Sequence, residues 1–96
     1  MTVMNEIELK RDEIERIAKE NGITKISIFG SVARGNVHGD SDIDFLIEIE
    51  EDRSLFDIIR FKQAMEELFQ RKVDVLTENA VHWTLRDQII KEAIPL

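Results

Sequence analysis

The chain reads as one small α/β (α+β) domain, a mixed sheet of three or four strands backed by helices. Three features lead there. Ninety-six residues, 43% hydrophobic and 34% charged, suit an ordered globular chain and leave no room for a second domain. Apolar residues recur at helical spacing in some segments and alternate or cluster as β-branched runs in others. One proline and four glycines make chain breaks few, so each of them marks a boundary. Residues 1–96 are therefore expected to form a single domain.

Residues 4–21 place Met4, Ile7, Ile14, Ile17 and Ala18 on one helical stripe, with Lys10, Arg11, Glu13 and Glu20 opposite. Asn21 and Gly22 stop that helix, since both tolerate the left-handed conformation. Residues 24–29 (TKISIF) alternate and are Ile-rich, the pattern of a strand. Residues 30–40, with three of the four glycines and no long apolar run, are expected as a turn or loop. Residues 43–49 (IDFLIEI) form the strongest strand of the chain. Ser54, with Asp57 three residues on, opens a helix in the manner of a capping box. Its expected buried stripe is Leu55, Ile58, Ile59, Met65, Leu68 and Phe69, with Lys62 laid along it. Residues 72–76 (KVDVL) are a short third strand. A last helix over residues 83–93 turns Leu85, Ile89, Ile90 and Ala93 inward, and Pro95 ends it.

Thirteen basic against twenty acidic residues give a net charge of −7, which argues against a phosphate backbone as the main partner. The same balance leaves room for metal cations and for a basic protein partner. With no cysteine, disulfides, thiolate metal sites and thiol nucleophiles are excluded. The N-terminal residues carry charges throughout, and no apolar run approaches the ~20 residues that span a bilayer. No membrane role is expected, and the expected location is cytoplasmic.

The chemistry is concentrated in two places. The first is Phe29-Gly30-Ser31-Val32-Ala33-Arg34-Gly35, followed by Asp40-Ser41-Asp42-Ile43-Asp44. Residues i and i+2 of a strand share a face at roughly 6.5–7 Å, so Asp42 and Asp44 can converge on hard divalent cations such as Mg²⁺. The second is Asp74, between Val73 and Val75. If its strand neighbours the first, three carboxylates share one patch and need a compensating cation. Gly30-Ser31 offers backbone N–H groups and a hydroxyl to a phosphate, and Arg34 a charged fork. Taken singly, each signal has a plain structural reading: a turn, a solvated strand edge, a charge that blocks edge pairing. Together they suit a metal–nucleoside triphosphate complex and nucleotidyl transfer.

Two other readings of these residues differ in strength. Asp40, Asp42, Asp44 and Glu51 match an EF-hand at four positions, but Phe45 stands where the calcium loop needs glycine and the segment is a strand. His38 and His82 are read as a solvated loop residue and a helix-start residue, not as ligands.

Gly30-Ser31 through Asp42-Ile43-Asp44, with Asp74 as third carboxylate, resembles the DNA polymerase β-type nucleotidyltransferase superfamily. Within it, GSVARG, SDID and the short chain resemble the minimal nucleotidyltransferases, the MNT- or MntA-type antitoxins, from about Lys25 onward; no signature position is substituted. The resemblance implies the nucleotidyltransferase fold, with Asp42 and Asp44 holding two Mg²⁺ ions and Asp74 completing the metal site and helping to activate the incoming hydroxyl. It implies that Gly30 and Ser31 hold the triphosphate with Arg34 assisting, that ATP is the substrate, and that AMP is transferred as pyrophosphate leaves. Proteins of this type pair with a HEPN-domain RNase toxin and adenylylate a tyrosine on it, so a hetero-oligomer with such a toxin is expected.

Size points the same way. A chain spent almost wholly on the catalytic core needs a second protein to bring the acceptor within attacking distance. The alternatives are a non-catalytic antitoxin that neutralises by occlusion, and nucleotidyl transfer to a small molecule. The three intact aspartates speak against the first, and the absence of a second domain against the other.

Overall fold

The computed structural model describes residues 3–33, 35, 42–80 and 83–96. The N-terminal apolar stripe folds as two helices, α1 (Val3–Leu9) and α2 (Arg11–Glu20), instead of one. The break falls at Lys10, whose backbone leaves the helical region (φ −103, ψ 12). Neither Gly nor Pro marks that point. Lys10 instead reaches out of line: its Nζ donates to the Leu68 carbonyl at 2.9 Å and sits 5.3 Å from the centre of the Phe69 ring. The break is thus made by a distant element and not by local propensity. The stripe itself is as expected, with Ile7, Ile14 and Ala18 buried and Met4 and Ile17 packed at the margin. Gly22 ends the segment at φ +74, and the Arg53 side chain fills the space a Cβ would need.

A four-stranded sheet in the order β3-β2-β1-β4 follows. Strand β1 (Ile23–Phe29) runs antiparallel to β2 (Ile43–Ile49), which pairs in parallel with β3 (Val73–Thr77). Parallel neighbours need a long crossover, and the 15-residue helix α4 (Leu55–Phe69) supplies it. Its start is fixed as expected, the Ser54 N–H donating to Asp57 Oδ2 at 3.0 Å. Its stripe holds at Met65 and Phe69, which are buried, and at Ile58 and Leu68, packed at the core margin, but Phe61 joins it and Leu55 and Ile59 leave it, 68% and 40% exposed. The sheet settles the phase, because Phe61 meets Phe45 edge to face at 5.8 Å between ring centres. Ile26, Ile28, Ile43, Phe45, Ile47 and Val73 complete that core.

After a 3-10 turn (Glu78–Ala80), helix α5 (Trp83–Glu92) leads into β4 (Ile94–Pro95). Ile90 is 40% exposed and not inward. Pro95 ends the helix as expected, but it also lies opposite Ser27 in an edge strand, where the missing N–H costs nothing. No helix among the described residues is long and apolar enough to cross a membrane.

Candidate active site

The parallel register of β2 and β3 builds the site. Asp44 and Asp74 are direct partners, and on the other side of β2 the partner of Asp44 is Phe29, the last residue of β1. Neighbouring strands lie roughly 4.8 Å apart, so the two carboxylates stand side by side. Both residues are half-buried. They alternate with the fully buried Ile43, Phe45 and Val73, which puts them on the opposite face from that core. The condition attached to Asp74 in the sequence, that its strand should neighbour β2, is met.

Asp42 lies one residue before β2. The pairing nevertheless continues past it: the Ile43 N–H donates to the Lys72 carbonyl at 3.1 Å. Asp42 Oδ2 stands 4.0 Å from Lys72 Nζ, the side chains being 46% and 65% exposed. Asp42 and Lys72 therefore form the next row out from Asp44 and Asp74. Lys72 was not singled out from the sequence, where a lysine before a short strand carries no signal of its own.

Gly30 joins the turn to the acids. Its φ of +76 is a conformation that L side chains resist, and a Cβ there would run into Asp44 Oδ2 and stand 3.2 Å from Asp44 Cγ. Only a bare Cα lets this backbone lie against the Asp44 carboxylate. The start of the expected loop is in fact a helical turn, α3 (Gly30–Ala33), seated by the buried Val32. Four residues are too few to show a period, so the sequence could not reveal it. Ser31 falls within α3. Arg34, His38, Asp40, Ser41 and His82 lie outside the described residues.

The donor set fits a hard divalent cation, being carboxylate oxygen throughout with the bare Cα of Gly30 leaving room beside Asp44. Among the described residues no three acidic or histidine side chains gather tightly enough to hold an ion alone, since Asp42 stands one row out beside Lys72. Mg²⁺ is commonly bound by one or two carboxylates that share it with substrate phosphates.

Two carboxyl groups elsewhere have shifted acidities. Hydrogen bonding to Glu78, then the charge of Glu78 and burial, raise Glu48, with Lys25 opposing. The Ser54 N–H lowers Asp57 against its partial burial, helped by Arg60 and Arg53. A groove of about 560 Å³ also lies away from the acids, along Ala18, Ile23, Ile26 and Leu96.

Residues 11–96 match the nucleotidyltransferase domain family. The chain belongs to that family, and its enzyme class is that of the nucleotidyltransferases. More particular relatives follow. A Methanocaldococcus jannaschii protein provisionally named a protein adenylyltransferase is 45% identical over 91 residues, covering 95% of this chain and 97% of that one. The protein adenylyltransferase MntA of Thermococcus cleftensis is 30% identical over 73 residues, covering 76% of this chain and 74% of that protein. A solved structure provisionally described as a minimal nucleotidyltransferase superposes at TM-score 0.87 with 38% identity, covering 100% of this chain and 97% of that one.

Two further structures share the fold alone. A toxin–antitoxin structure with AMP-PNP is 20% identical at TM-score 0.73, covering 88% of this chain and 69% of that one. A complex of a tri-AMPylated Shewanella oneidensis HEPN toxin with an MNT antitoxin is 17% identical at TM-score 0.68, covering 92% of this chain and 69% of that one.

Proposed function

We propose that this chain transfers AMP from ATP to a tyrosine hydroxyl of a cognate HEPN-type RNase toxin, and so acts as the antitoxin of the pair. One observation carries the reading: Gly30, Asp44 and Asp74 form a continuous cross-strand arrangement, with Asp42 at its margin. The names of the relatives support a protein acceptor, and the fold is one also found in MNT–HEPN complexes.

In this reading Asp42, Asp44 and Asp74 hold Mg²⁺. Bound divalent cations offset the negative charge of the triphosphate and of the leaving pyrophosphate. Gly30 and Ser31 cradle the triphosphate, with Arg34 assisting. The acceptor oxygen forms its bond to the α-phosphorus, the bond to the oxygen bridging the β-phosphate breaks, and pyrophosphate departs. Asp74, at the outer strand of the row, takes the hydroxyl proton. The partner supplies the acceptor and part of the pocket wall.

The test is intact-mass spectrometry of the HEPN partner after incubation with this protein, Mg²⁺ and ATP. An added adenylyl mass that disappears when Asp42 and Asp44 are both changed to Asn is the expected result. Inhibition of the toxin with no mass change would establish occlusion instead. Neither modification nor inhibition would bring the small-molecule acceptor forward.

A further inference from the structure

Rows of the sheet around the candidate site place four charged side chains on two adjacent strands. Asp44 faces Asp74 in register. One step outward, Asp42 faces Lys72, their charged atoms 4.0 Å apart. The strands are tied at that step by the bond from the Ile43 N–H to the Lys72 carbonyl at 3.1 Å. Lys72 thus stands on a fixed backbone position beside Asp42, with a side chain long and exposed enough to move. Its ammonium stands near the Asp42 oxygen that an incoming cation would use, and competes for it.

We infer that Lys72 is a resident counter-ion of the carboxylate set, a positioning residue that holds Asp42 in the cation-free protein and must yield it when a divalent cation binds. The inference rests on the reading of Asp42, Asp44 and Asp74 as cation ligands. Its consequence is a penalty on cation affinity, which keeps the site from filling tightly before the nucleotide brings further oxygen ligands. Lys72 then acts through Asp42 and needs no contact with substrate.

Mn²⁺ binding to the intact chain, followed by the electron paramagnetic resonance signal of the free ion at low ionic strength, tests this. Lys72→Met is expected to bind Mn²⁺ roughly 1.5- to fivefold more tightly, the range set by an exposed pair of this separation. Lys72→Arg, which keeps the charge, should return the affinity to that of the unaltered chain. In an Asp42→Asn background Lys72→Met should change nothing, because the two residues act as a unit. Unchanged or weaker binding by Lys72→Met, with Asp42→Asn still weakening it, would overturn the role of Lys72 alone. Binding indifferent to Asp42→Asn would overturn both the cation reading and this inference.

Discussion

The two ends of β2 present similar charges on one face of the sheet and deal with them differently. At one end Asp44 and Asp74 stand together with Asp42 and Lys72; at the other, Glu48 and Glu78 stand with Lys25. Glu48 and Lys25 are register partners, and Lys25 Nζ lies 3.7 Å from Glu78 Oε1. The glutamates relieve their repulsion by hydrogen bonding, which raises the affinity of Glu48 for a proton. Longer side chains allow that adjustment. At the aspartate end, two short side chains are fixed by strand register, and the backbone of Gly30 lies directly against one of them. Two acids and a lysine do not make a site by themselves. The proposed site differs in having short acids held by paired strands beside a bare turn.

Breaking the aspartate end should have the largest effect. Asp42→Asn with Asp44→Asn is expected to lower AMP transfer on the order of 10²–10³-fold or more while circular dichroism stays native. An unfolded variant would mean that these acids hold the sheet together instead. Next comes Gly30→Ala, which forces a left-handed residue to carry a Cβ into the Asp44 carboxylate. It should cost about 1–2 kcal/mol in urea unfolding from backbone strain. Displacing Asp44 should also reduce transfer on the order of 10²-fold, measured by product mass. Loss of stability without loss of transfer would separate the turn from the site.

The smallest effect belongs to the glutamate end. A carboxyl whose affinity for protons is raised in the folded state favours folding at low pH, and that contribution is lost as pH climbs above 4.5, the ordinary glutamate value. Glu78→Gln should remove that pH dependence and, because it also removes the Lys25–Glu78 ion pair, shift stability at neutral pH by no more than roughly 0.5 kcal/mol. Asp57 slopes the other way. Its lowered value adds stability that disappears only as pH falls below 3.8. Urea midpoints measured from pH 3 to 7 therefore keep the two apart.

Much of this was legible in the residues. Alternation gave β1, β2 and β3, the Ser54–Asp57 pattern gave the start of α4, and Gly30, Asp42, Asp44 and Asp74 stood out because charges and glycine interrupt apolar strands. What escaped depends on contacts far along the chain. The break at Lys10 is made by Leu68 and Phe69. The two-residue β4 exists only because Ser27 and Ile28 lie beside it. The stripe of α4 is legible at Ile58, Met65, Leu68 and Phe69, but Leu55 and Ile59 fit the helical period as well as Phe61 does, and it is Phe61 that meets Phe45. Lys72 escaped for the same reason: its meaning comes from the row it shares with Asp42.

The most direct measurement is transfer of label from ATP carrying ³²P at the α-phosphate to the HEPN partner, with Asp44→Asn and Glu48→Gln compared side by side. Both variants remove one negative charge from the same strand face, at opposite ends of β2. The expected result is full labelling with Glu48→Gln and none with Asp44→Asn. Equal labelling by the two variants, whether retained or lost, would contradict the assignment of nucleotidyl transfer to the Gly30–Asp44–Asp74 row.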